Sequence, residues 1–194
     1  MLALELSSPV GSVAFVDDEG PRDFRAFPAD RKDSGFFYEN LRRIYEKGAK
    51  PDMIAVGLGP GSYAGVRIAI STALGLAAAS GARLRGVPSI CAIDRPEYFF
   101  IGDARRNSLF FARIEQGHCL EGPGLTTAEE LHEMLNAARE TPVIATQPLP
   151  SFPQVVVENP SALRLLEVAL RSDEEGDVLE PIYLREPYIT TPRK

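Results

Sequence analysis

The sequence is poor in the residues that carry reactive or metal-bound chemistry. It has two cysteines, Cys91 and Cys119, and two histidines, His118 and His132. No Cys-x-x-Cys or His-x-x-x-His occurs, so no metal centre is expected. Two thiols in a chain of this size read as free and reduced, which fits the cytoplasm. Basic runs are also missing. The formal net charge is −6, and a protein that holds nucleic acid unaided carries a basic footprint. Nothing approaches the run of about 18 apolar residues that a membrane span needs. Residues 68–80 come nearest, but they are rich in Ala, Ser, Thr and Gly. The N-terminal MLALELSSPV is too short for the apolar core of a secretory signal and lacks a basic start. A cytosolic protein without membrane contact is the expectation.

What is present describes a globular α/β chain. Its 194 residues, 44% hydrophobic and 25% charged, suit one domain or two compact lobes. Strands are expected at Leu2–Leu6, Ser12–Val16 and Arg22–Phe27, separated by the turns around Pro9-Val10-Gly11 and Glu19-Gly20-Pro21. Phe37, Leu41 and Ile44 have helical spacing and predict a helix over 34–47, stopped by Gly48. A strand over 53–58, a helix over 63–80 and a strand over 84–87 complete a βββαβαβ unit. After Pro88 a second unit reads as strands near 98–101 and 109–114, a helix near 128–138, strands at 143–145 and 155–157, and a helix near 162–171. The tail beyond Pro181 reads as extended. The expected division is 1–88 for the first lobe and 89–194 for a smaller second lobe with the tail.

Residues 57–81, GLGPGSYAGVRIAISTALGLAAASG, are the most informative stretch. A buried strand runs into glycines at 57, 59 and 61, and Ser62 then stands at a helix N-cap position. The loop is not a Walker phosphate loop, since both the spacing and the lysine are missing. Gly59-x-Gly61-x-x-Ala64 imitates a dinucleotide fingerprint, but Pro60 removes an N–H and no acid ends the next strand. Gly59, Gly61 and Ser62 therefore either provide a tight turn or hold an anion at the helix N-terminus. Around Ser62 there is no nucleophile elbow, the second glycine being at the wrong offset. Glu5 and Asp103 stand near strand ends, where an acid either faces a cleft or serves a turn.

The helix after Ser62 contains one charged residue, Arg67, and almost no polar face. A helix covering one sheet needs about 100° of apolar arc, so a second body is expected on its other side. Ala69, Ala73 and Ala77 form a row of small residues beside the larger row Val66, Ile70 and Leu74. Phe36, Phe37 and Tyr45 of the preceding helix, with Tyr63 and Arg67, extend the candidate partner surface. Which row faces the chain's own sheet is left open by the sequence.

Residues 59–77, GPGSYAGVRIAISTALGLA, closely resemble the GPGSFTGVRIG-helix signature of the TsaB (YeaZ) family, proteins of tRNA threonylcarbamoyladenosine synthesis. LALELSS with GSVA at 11–14, IGDARR at 101–106 with LFFA at 109–112, and EPIYLR at 180–185 resemble further family segments in the same order. The resemblance implies an actin/Hsp70-like fold of two ribonuclease-H-like lobes, the second one shortened in this chain. It implies no catalysis, metal or cofactor of its own. Its partners would be a catalytic TsaD-like subunit, docked through the two helices of the first lobe, and a TsaE-like ATPase. Whether the isolated chain is a homodimer through the same helices is left open by the sequence, and tRNA would be met only through the complex. The alternative is an ATP-dependent or metal-dependent enzyme of the same fold, either a glycoprotease-like hydrolase or a small-molecule kinase. The sequence departs from the family pattern at Glu5, where Asp is usual, at Ala64 for Thr, and at Asp33 for His.

Overall fold

The computed structural model describes residues 1–29, 34–105, 108–138, 140–171 and 179–185. Asp33, Arg106 and the tail beyond Arg185 lie outside the described residues. The first sheet holds β1 (Leu2–Glu5), β2 (Val10–Asp17), β3 (Gly20–Pro28), β4 (Met53–Gly57) and β5 (Arg83–Val87), in the order β3-β2-β1-β4-β5. The meander β1–β3 is antiparallel, and β4 and β5 join it in parallel. Helices α1 (Gly35–Glu46) and α2 (Tyr63–Ser80) make the crossovers.

The second sheet repeats this plan. It contains β6 (Glu97–Asp103), β7 (Leu109–Glu115), β8 (His118–Thr126), β9 (Val143–Ala145) and β10 (Val156–Val157), in the order β10-β9-β6-β7-β8. An antiparallel meander is again extended by two parallel strands. Two such lobes in tandem are the actin/Hsp70-like arrangement. The strand β8 is not legible in the sequence, because Gly122-Pro123-Gly124 interrupts its alternation. Its signal is the two-residue turn before it. Gln116 and Gly117 both have positive φ, 52° and 81°, as a tight hairpin turn requires.

Three apolar cores separate five layers. The first joins α1 and α2 to the outer face of the first sheet, through Phe37, Leu41, Ile44, Val66, Ala69, Ile70 and Ala73. The third joins α3 (Ala128–Ala137) to the outer face of the second sheet. Between the sheets lies α4 (Ala162–Arg171), whose Ala162, Leu165, Leu166 and Ala169 form one stripe. They meet Ala3, Ala14, Met53 and Ala55 of the first sheet and Tyr98, Phe100 and Ile114 of the second. The Ser12 hydroxyl of β2 accepts the Ala162 N–H at 2.9 Å, so the first lobe caps a helix from 150 residues away. The helix that follows β10 in sequence thus completes the core of both lobes.

Leu165 has no solvent exposure, whereas Leu170 on the same helix is 60% exposed. Leu165→Ala is expected to cost about 2–5 kcal/mol by leaving a cavity between the sheets. Leu170→Ala is expected to stay within about 0.5 kcal/mol. Urea unfolding checks both, and the shared core predicts one transition for the two lobes.

Candidate functional site at the second helix and the cleft

The glycine loop seats α2 directly on the end of β1. The Ser62 N–H donates to the Ser7 carbonyl at 2.7 Å. A Cβ on Gly61 would stand 2.2 Å from that oxygen, and one on Gly65 would stand 2.0 Å from the Leu6 carbonyl oxygen. Only glycine allows this approach. The Ser62 hydroxyl caps the helix by accepting the Gly65 N–H at 3.2 Å. Two more loop donors are engaged: Leu58 N–H with the Val87 carbonyl at 2.9 Å, and Gly59 N–H with the Ser89 hydroxyl at 3.0 Å. Pro60 has no donor. These N–H groups turn inward, and a phosphate cradle would need them facing a ligand.

Glu5 lies beneath this loop with no solvent exposure. Its Oε1 accepts the Ser7 N–H at 2.6 Å, while Oε2 has no hydrogen-bond partner among the described residues. Oε2 fills the space a side chain at position 57 would need, a Cβ there standing 1.9 Å from it, and the Ser89 hydroxyl lies beside it. Burial pushes the carboxyl above its ordinary value, and contacts with Ser7 and Ser89 oppose this more weakly. Glu5 lines neither of the cavities in the cleft. As a nucleotide or metal ligand, the acid is aimed the wrong way.

The cleft itself is a cavity of about 480 Å³ whose walls include Tyr63, Asp103, Arg105, Phe110, Tyr183 and Arg185. Asp103 turns its Oδ1 to the Arg105 N–H at 2.6 Å, closing the turn after β6. Burial drives the Cys91 thiol up to about 12 and raises that of Cys119, so neither is a ready thiolate. Among the described residues no three His, Cys, Asp or Glu side chains are grouped to hold a metal ion.

The candidate partner residues divide between two faces. Val66, Ala69, Ile70 and Ala73 are buried on the chain's own sheet, as is Phe37 of α1, and these are unavailable to a partner. Ala77 and Tyr45 are half-buried against the same core. Phe36, Tyr63, Arg67 and Leu74 face outward, with Phe36 at 49%, Tyr63 at 53% and Leu74 at 50% exposure. The two rows read from the sequence do not separate as rows. At 100° per residue the inward stripe takes members of both and drops Leu74. Among the described helices α2 alone has the length and composition of a membrane span, yet its inner stripe is spent on the sheet.

Tyr38 and Tyr183 are two further exposed tyrosines that the sequence reading did not single out. Tyr38, on a different side of α1 from Phe36, is 49% exposed. Tyr183 belongs to the segment 179–185. In that segment the Ile182 N–H donates to the Leu58 carbonyl at 2.8 Å. The Tyr183 hydroxyl accepts from Arg67 Nε at 2.8 Å, across 116 residues. The EPIYLR motif marks this tyrosine, but spacing alone cannot tell where it lands.

Residues 45–118 match the family described as TsaD, tRNA N6-adenosine threonylcarbamoyltransferase. Two crystal structures from Pseudomonas aeruginosa share the fold. One, YeaZ, has a TM-score of 0.75 at 21% identity and covers 94% of this chain and 98% of that one. The other, an uncharacterized protein with similarity to peptidase YeaZ, has a TM-score of 0.74 at 24% identity over 95% and 98%. An uncharacterized Mycobacterium leprae protein is 34% identical over 77 residues, 38% of this chain and 21% of its own length. An uncharacterized Mycobacterium bovis protein is 28% identical over 145 residues, 70% of this chain and 65% of its own length. The chain therefore spans between about a fifth and two thirds of these curated relatives. The chain has the YeaZ fold along nearly its whole length, and its middle third matches the TsaD family.

The buried acid makes a pH prediction. The folded-state pKa of Glu5 lies above the ordinary value of 4.5. Its favourable contribution is complete below that value and is lost as pH rises through the raised one. Glu5→Gln, which keeps the shape and removes the ionisation, should flatten the fall in stability on the alkaline side. Urea midpoints of wild type and variant between mildly acidic and alkaline pH check this. Parallel pH profiles would show that the carboxyl ionises freely in the folded protein.

Proposed function

From the YeaZ fold and a TsaD-type segment through the middle of the chain, we propose that this protein is a non-catalytic partner of a TsaD-like transferase. In this role it acts in the threonylcarbamoylation of the adenosine beside the anticodon of tRNA. The observation that carries the reading is the state of α2. Eighteen residues long with one charge, it spends Val66, Ala69, Ile70 and Ala73 on its own sheet. An outward face of Tyr63, Ser71, Leu74, Gly75 and Ala78 remains exposed. Its small residues let a second helix approach closely, and Leu74 supplies a knob. Phe36 and Tyr38 add exposed aromatic rings on two different sides of α1. The inward-turned glycine loop and the sealed Glu5 favour this role over an ATP-dependent or metal-dependent enzyme. The acidic net charge of −6 fits a protein that meets tRNA only within a complex. The complex would work in the cytoplasm, with a TsaE-like ATPase as a further member.

Docking on the outer face makes the two sides of α2 respond oppositely to an introduced acid. Leu74→Asp should leave the fold intact and weaken association by several kcal/mol, since it buries an unpaired charge. Ala73→Asp should instead unfold the subunit. Co-elution of each variant with a TsaD-family protein from the same cell, alongside circular dichroism, checks this. Leu74→Asp that co-elutes as wild type does would remove α2 as the docking surface.

A further inference from the structure

Arg67 is the one charge on α2, and its setting is unusual for an exposed arginine. Its guanidinium carbon stands 4.0 Å over the Tyr63 ring and 5.7 Å from that of Tyr183. The two rings are 5.6 Å apart, and Arg67 Nε is committed to the Tyr183 hydroxyl. An exposed arginine usually samples many rotamers, but stacking and one hydrogen bond hold this guanidinium in place. Its remaining N–H donors meet no carboxylate among the described residues.

The other arginines of the surface differ in this respect. On α1, Arg43 pairs with Glu39 and Arg42 with Glu46, the latter at 3.5 Å. Helix α2 itself contains no Asp or Glu. When an apolar face closes over Arg67, the guanidinium loses water and needs a carboxylate in return. A second copy of this chain, docking through the same two helices about a two-fold axis, would bring another Arg67. The helix carboxylates it would bring, Glu39 and Glu46, are already paired.

We propose that Arg67, held between Tyr63 and Tyr183, is the polar anchor of the docking surface and takes a carboxylate from an apolar helix of a different protein. This inference rests on the docking role of α2 proposed above and adds which partner that face selects. A planar, pre-oriented guanidinium suits bidentate pairing with a carboxylate. Tyrosine and arginine are also the residues that most often dominate interface energetics. The segment 179–185 is then part of the interface, because it supplies one wall of the slot.

The test uses the full chain and, as probe, a TsaD-family protein from the same cell, with affinity measured at low and high salt. Wild type should bind more weakly as salt screens the pair. Arg67→Leu should bind roughly tenfold more weakly or worse at low salt and lose the salt dependence. Its self-association should be unchanged or stronger. Tyr183→Phe keeps the charge and should keep the salt dependence. Circular dichroism confirms that both variants fold. Arg67→Leu binding the probe as wild type does, with the same salt response, overturns the proposal. So does an equal loss in self-association, or a Tyr183→Phe variant without salt dependence. Failure of wild type itself to bind the probe overturns the docking role, and this inference with it.

Discussion

The contact between the end of β1 and the start of α2 constrains the rest of the first lobe. The Ser7 carbonyl takes the Ser62 N–H at 2.7 Å, and Gly61 and Gly65 remove the side chains that would hold the helix away. With its N-terminus fixed there, α2 has no freedom to roll on the sheet. Val66, Ala69, Ile70 and Ala73 must point inward, and Tyr63, Arg67 and Leu74 outward. The same closure turns the Gly59 N–H toward Ser89 and buries Glu5 beneath the loop. A glycine-rich strand-to-helix turn is commonly associated with phosphate binding. Here its glycines serve a close backbone approach, and the product is a rigidly presented helix face.

Residues far along the chain contribute to that face. Helix α4 fills the space between the sheets and is capped by Ser12 of the first lobe, so the lobes share one core. Beyond α4, Tyr183 reaches Arg67. An ordered guanidinium on an otherwise apolar helix is thereby a product of two stretches 116 residues apart. This gives a physical reason for the EPIYLR segment to accompany the GPGSYAGVRI segment, since each completes the other's side-chain contacts.

Much of this was legible in the sequence where local pattern decides structure. Helix α2 was expected over 63–80 and runs from Tyr63 to Ser80, because Ser62 and Gly81 mark its ends chemically. The meander β1–β3 followed from short apolar runs between turns. Strand β8 was hidden because glycine and proline stand where alternation should be. The candidate partner surface was half legible. Its helix was recognisable from missing polar residues, but a helix apolar all round gives no cue to its inner face. The seating at Ser7 decides that, through a contact between positions 7 and 62. Tyr183 was hidden for the same reason, its partner lying 116 residues away. The fate of Glu5 also depended on its surroundings. The residue alone reads as either a cleft acid or a turn acid, and only the packing of positions 57 and 89 shows it sealed.

The central claim is that one face of this molecule, the outer side of α2 with the returning segment, is where another protein sits. Hydrogen–deuterium exchange of the full chain, alone and mixed with a TsaD-family protein from the same cell, tests it most directly. The account predicts added protection over residues 63–80 and 179–185, with α3 and β8 unchanged. Protection over α3 or β8, with α2 exchanging as it does alone, would contradict it.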